Sequence, residues 1–577
     1  MARRRKSLVR TIYKVMALQM VLGLLAVIVI EIVVIGVMNF RNRIRPDTVL
    51  VVDVRGSVAE EAPRGFWEEV TRGRVKVMSD FLEAIDRAAR DSRINGLVLR
   101  VGGGGMNMAK LQELRGKIRE FNQSGKFSAV FLESATNRSY YLASACGSVT
   151  LVPQSILGIR GMMAESTFLR GTLDKLGIEA DLYHAGDYKS ASNLLTEKGY
   201  TKEHRESVEA LLRDWYGEFL QGIAEGRELE VSRVASLVEQ APYTSREALE
   251  AGLVDEVAYR DQFDEKIKEL NQGSENRASV GRYLARTDAE GDLKIAVLYA
   301  SGTIMTGESS EDPVLGTVLG SSTLSEQLKW VREDESFKAA ILRVDSPGGS
   351  AVASEIIRRE VELTQKEIPV VVSMSDVAAS GGYWIAMGAD RIVAQPGTVT
   401  GSIGVITGKL NLKGLYDKLG MSKDYVALTE NATIEWAFQN YTRRQRVVVR
   451  RIMQEYYDAF KAGVSKGRKL SLEEVEKIAQ GRVWTGERAA RLGLVDELGG
   501  MDVALRWAKQ LADIPEAERV RLVHVTTRKT MIEKIWDALG GVSALRPRSV
   551  RERFGRVTAL AEEGPVWVLV PFLPEAR

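Results

Sequence analysis

Ser380 stands in the run Asp376-Val377-Ala378-Ala379-Ser380-Gly381-Gly382-Tyr383-Trp384, where an apolar, strand-like segment gives way to a helical pattern. A serine on a small-residue turn at the start of a helix is well placed to attack a carbonyl. The first N–H groups of a helix lack intrahelical acceptors and carry the positive end of its dipole, which favours a developing oxyanion. Upstream, Asp345-Ser346-Pro347-Gly348-Gly349 also follows a strand-like run. Such a turn can aim a further backbone N–H into the same crevice. Either motif alone is ordinary turn chemistry; together, each after a parallel strand, they point to acyl transfer. Other chemistries find little material. There are three histidines, His184, His204 and His524, and no HExxH pairing. The single cysteine, Cys146, excludes an intrachain disulfide and a multi-cysteine metal site. Gly102–Gly105 is not followed by Gly-Lys-Ser/Thr, so it is no P-loop.

Both turns need a scaffold of strands and helices. The run Ile295–Leu298 predicts a strand, followed by a helix in which Thr323 and Glu326 read as a capping box and Leu324, Leu328 and Val331 share a face. A strand at Ala340–Val344, a helix near Ser354–Lys366, a strand at Pro369–Ser373 and a helical segment Tyr383–Gly388 come next. This alternation predicts parallel βαβ units.

The same pattern occurs twice. Val98-Leu99-Arg100-Val101 returns as Ile341-Leu342-Arg343-Val344, and Asp174-Lys175-Leu176-Gly177 as Asp417-Lys418-Leu419-Gly420, both 243 positions on. Tyr140-Tyr141 and Tyr383-Trp384 keep that offset; Gly252–Glu256 and Gly493–Glu497 match at 241. A constant offset over so many residues indicates a tandem duplication. The expected copies are 48–270 and 294–510, joined by a polar linker at 271–293 and followed by a C-terminal extension, 511–577.

Ahead of the first copy lies a basic segment, 1–14, and an apolar stretch, Val15–Phe40, broken by Gln19 and Glu31 in its main run. About 20 apolar residues cross a bilayer, and the stretch is too long for the apolar region of a cleaved signal. It reads as an uncleaved single-pass anchor. Arg3, Arg4, Arg5, Lys6, Arg10 and Lys14 form the stronger cationic flank, which places the N-terminus in the cytoplasm and the body outside. The net charge of +3 offers no basic field for nucleic acid.

Asp345-Ser346-Pro347-Gly348-Gly349, Ala378–Trp384 and Thr400-Gly401-Ser402-Ile403-Gly404 together resemble the long-form signal peptide peptidases (protease IV), within the Clp protease/crotonase fold superfamily. The likeness spans nearly all of 48–510, with the duplication and the anchor. It implies an α/β fold, a tandem duplication of a Clp/crotonase-like βαβ domain after one transmembrane helix. It also implies a Ser/Lys dyad with Ser380 as nucleophile. Gly186-Asp187-Tyr188-Lys189-Ser190-Ala191 is similar to the family's lysine motif, so Lys189 is the matching base. An ordinary lysine titrates near 10.4, and only desolvation makes it a base at neutral pH. Gly348 and Gly381 are the expected oxyanion donors. Ser402 matches a serine that orients the lysine, or is a turn-stabilising hydroxyl. The resemblance further implies no cofactor or metal, cleaved signal peptides and similar apolar peptides as substrates, a bacterial inner-membrane, periplasm-facing location and a homotetramer.

The repeat tests this reading independently. At the 243 offset Ser380 falls on Asn137, and Lys189 on Ala432. Each copy lacks what the other keeps, as expected of one site split between two copies. Three other readings stand beside it: a Ser380–His184 pair, a crotonase-type acyl-CoA enzyme and a non-catalytic membrane scaffold. Thr306–Ser322, rich in Gly and Ser, is expected to be a mobile loop. The tail from Arg546, basic and then apolar over Val566–Leu573, is too short to span a membrane and receives no role.

Overall fold

The computed structural model describes residues 43–61, 75–102, 104–287, 291–312, 315–525 and 566–569. The expected span at 15–40 lies outside them. Among the described residues no helix is long and apolar enough to cross a membrane.

The first copy is built on a six-stranded, all-parallel sheet. Its centre is Thr48–Asp53, Ile94–Arg100, Phe127–Leu132 and Ser148–Leu151, runs of apolar residues buried on both faces as parallel strands require. The second copy repeats this with Leu293–Ser301, Phe337–Ser346, Val370–Ala379 and Arg391–Ala394 in an eight-stranded sheet. The duplication holds down to single bonds. Tyr140 Oη donates to Leu253 O, and Tyr383 Oη to Leu494 O. Each copy carries a 26-residue helix, Lys202–Arg227 and Arg443–Arg468, capped by Thr201 and Thr442 and closed by a left-handed residue. Gly105 and Gly348, one repeat apart, share positive φ values of 101° and 102°. The turn geometry therefore survives in the copy that lost its serine.

Several local expectations change. The stretch expected as a linker holds Arg277–Ser279, which pairs with Thr48–Asp53 as an edge strand, and the helix Val280–Leu284. Likewise Val520–Val525 lies in the expected C-terminal extension but pairs with Leu293–Ser301. Both are short edge strands with charged residues, so they carry little hydrophobic period. The predicted capping box is not formed: the helix runs Ser321–Glu333 from Gly320, and Thr323 Oγ1 accepts the Ser309 N–H instead. The segment expected to be a mobile loop contains the antiparallel strands Ser310–Asp312 and Gly316–Gly320.

The copies are locked by charge as well as packing. Arg343, 1% exposed, bonds Glu60 at 3.0 Å and Glu113 at 2.6 Å. Lys110 bonds Asp345 at 2.6 Å and lies 3.4 Å from Asp376. Glu60, Lys110 and Glu113 belong to the first copy, and Arg343, Asp345 and Asp376 to the second. Burial pushes the Glu60 carboxyl up, but Arg343 and Lys110 outweigh it and hold it well below the usual carboxylate range. Asp345 also accepts the Val377 N–H, so the network reaches the strand that carries Ser380. Cys146 is buried, and desolvation pushes its thiol up to about 12, which leaves it unreactive.

Candidate active site

A third sheet, of seven strands, brings Lys189 and Ser380 together. Glu179–Ala185 of the first copy pairs antiparallel with Val405–Asn411 of the second along its whole length, from Ala185↔Val405 to Glu179↔Asn411. Lys189 follows Ala185 and Ser402 precedes Val405, so both stand at the same end of this ladder. The lysine loop is then clamped by the second copy. Tyr188 N–H donates to Gln480 O at 2.8 Å, and Gly481 lies so close that a Cβ there would come within 2.4 Å of Lys189 Cβ.

Ser380 ends the strand Val370–Ala379 and opens the helix Gly381–Ala386. Its backbone has φ +55° and ψ −112°, a strained conformation for a residue with a Cβ. The strain is held by Ser380 N–H donating to Gly401 O and by Trp384 N–H donating to Ser380 O, both at 2.8 Å. The turn from strand to helix at Ser380 is of the sharp, strained kind that mounts a nucleophile in other hydrolases.

Lys189 Nζ lies 2.7 Å from Ser380 Oγ and 2.9 Å from both the carbonyl oxygen and the Oγ of Ser402. Lys189, Ser380 and Ser402 are all 0% exposed. Desolvation lowers the amine well below its ordinary value of 10.5, and among the described residues no carboxylate contributes a counter-charge. A neutral amine has two N–H donors and one lone pair. Two donors match the two Ser402 oxygens, and the lone pair faces the Ser380 hydroxyl. Ser402 thus stands within hydrogen-bonding reach of the amine through both of its oxygens.

Gly381 is the first helical residue, so its N–H has no intrahelical acceptor. A Cβ on Gly381 would sit 3.0 Å from Gly348 Cα and 3.1 Å from Gly349 N, so the two glycine turns are in contact. Gly348 N–H, expected as a free oxyanion donor, donates here to Ser346 Oγ at 3.1 Å. An oxyanion at that position competes with the Ser346 hydroxyl. His184 lies in the Glu179–Ala185 strand with Nδ1 2.9 Å from Gly186 O, and the lysine holds the position beside Ser380. The inter-copy network and the Gln480–Gly481 clamp were not foreseen; a charged Arg343 inside an apolar strand was the one signal of the former.

A strained serine at a helix start, facing a desolvated amine in a duplicated parallel α/β scaffold, defines a serine hydrolase equipped for acyl transfer. The pattern of Peptidase family S49 matches residues 120–274 and 362–515, one match in each copy. The chain is 32% identical over 511 residues to the serine protease SPPA, chloroplastic, of Arabidopsis thaliana, covering 86% of this chain and 74% of that one. With Protease 4 of Haemophilus influenzae it shares 34% over 453 residues, 75% of this chain and 73% of that one. With Protease 4 of Salmonella typhi it shares 31% over 492 residues, 82% and 78%. The chain belongs to peptidase family S49 and is a serine protease.

Proposed function

We propose that the protein is a membrane-anchored endopeptidase that degrades cleaved signal peptides and similar apolar peptides, with Ser380 as nucleophile and Lys189 as general base. The observation that carries this reading is the 2.7 Å contact between Lys189 Nζ and Ser380 Oγ in a site without a counter-charge. Lys189 takes the Ser380 proton as Oγ attacks the peptide carbonyl. The Gly381 N–H, at a helix N-terminus, and the Gly348–Gly349 turn receive the oxyanion. The protonated amine then gives its proton to the leaving amine, and water, deprotonated by Lys189, hydrolyses the acyl-enzyme. The apolar stretch Val15–Phe40 supports a single-pass anchor in a bacterial inner membrane, with the catalytic body on the periplasmic side. A homotetramer is part of the same proposal.

A fluorophosphonate probe and an apolar fluorogenic peptide test it. Ser380 is labelled and the peptide is hydrolysed in the unaltered chain, and both are lost in Lys189→Ala. Turnover of a CoA ester without labelling would instead favour the crotonase-type reading, and neither reaction the scaffold.

A further inference from the structure

The strand Val566–Leu569 comes from the tail that the sequence left without a role, and it lies inside the third sheet. One side pairs antiparallel with Gly348–Ser350, through Gly348↔Leu569, Gly349↔Val568 and Ser350↔Trp567. The other side pairs antiparallel with the strand after Ser402, through Ile406↔Trp567 and Thr407↔Val566. The strand therefore fills a gap between the oxyanion turn and the loop that orients the lysine. Adjacent strands are about 4.8 Å apart, so this gap is one strand wide.

We infer that Val566–Leu569 is a built-in competitive inhibitor, occupying the slot that the acyl half of an extended peptide substrate takes. This rests on the peptidase reading above. Three features carry it. The tail runs from Ser350 toward Gly348, so its C-terminal end approaches Ser380, the direction in which a substrate must present its scissile bond. Without it, Gly349 and Ser350 on one side and Ile406 on the other would lose their ladder partners and face the gap as strand edges, which is how a sheet edge captures an extended peptide. Ser380 is also 0% exposed, so a substrate must first displace something. All four residues of the strand, Val566, Trp567, Val568 and Leu569, are apolar, as are the peptides proposed as substrates.

The tail is tethered, so it competes at an effective concentration of the order of 1 mM. With an intrinsic affinity of about 0.1 mM it closes roughly nine-tenths of the sites, and its removal raises kcat/KM about tenfold. The test compares the full chain with a chain ending at Pro565 and with Trp567→Pro at full length. Trp567 is paired on both sides, so its N–H faces one neighbour or the other and proline removes a ladder bond either way. Both variants cleave a short apolar peptide about tenfold faster at low substrate, and a synthetic peptide of residues 560–577 inhibits the truncated chain competitively. Hydrogen exchange is read in parallel on Ser380→Ala versions: truncation speeds exchange within Gly349–Ser350 and Ile406–Thr407, and the added peptide slows it again. Unchanged exchange on truncation would overturn the assignment whatever the activity does. Exposed amides in a chain that hydrolyses no peptide would sink the peptidase reading and leave the strand's placement standing.

Discussion

Ala185 of the first copy is the backbone partner of Val405 in the second, and that register sets Lys189 against Ser380. A slip of one residue would turn every side chain of the ladder to the opposite face. The dyad thus depends on a strand pairing made between two copies, neither of which holds both groups.

The base must be unprotonated to work. Burial lowers the Lys189 amine well below 10.5, so activity is present above this lowered value and lost as pH falls through it. The kcat/KM profile of the full chain rises along a limb well below 10.5 that follows a single ionisation. A limb near the ordinary lysine value would contradict the desolvated amine.

The same shift enters stability. Between the lowered folded value and 10.5 the unfolded chain binds a proton at Lys189 that the folded chain does not. Stability therefore rises with pH across that interval and levels off above it. Lys189→Met removes this slope and melts at a higher temperature at neutral pH while losing at least about 10³-fold in activity. Urea melts of both chains across pH give the comparison.

The proposed mechanism makes Ser402 a positioning residue. Ser402→Ala removes one of the two oxygens that hold the amine, and kcat falls about 10- to 100-fold with KM little changed. The ascending limb of the pH profile also moves, which loss of a purely structural hydroxyl would not cause. Ser402→Thr restores part of the rate.

Gly481→Ala places a methyl 2.4 Å from Lys189 Cβ at a φ of +73°. The lysine loop has to shift, and a displacement near 1 Å costs about 10²-fold in kcat. The circular dichroism spectrum is unchanged, since Gly481 lies in a turn outside the strands and helices.

Arg343→Met leaves Glu113 buried without its cation and Glu60 with Lys110 alone. Breaking a buried pair in this way costs about 3–5 kcal/mol. The triple variant Arg343→Met, Glu60→Gln, Glu113→Gln recovers a substantial part of that loss, measured by chemical denaturation. If the single change were neutral, the network would not be holding the copies together.

The strands around both turns were legible because parallel strands buried on both faces are written as short apolar runs. Ser380 was legible because a turn between strand and helix demands small residues on the spot. The repeat was legible as an offset, at which Asn137 and Ala432 fall opposite Ser380 and Lys189. Such signals are local or periodic, so composition and spacing record them. Lys189 was legible only through its likeness to a known motif, since nothing around it in the chain announces a buried amine. Its desolvation, its two bonds to Ser402 and the Gly481 clamp come from residues remote in sequence. So do the Arg343 network and the pairing of Val566–Leu569 beside Gly348–Ser350. By itself the sequence determined the two α/β copies and the division of chemistry between them. The tertiary structure alone decided how the halves meet, because a lysine becomes a base only where folding strips its water and leaves no counter-charge.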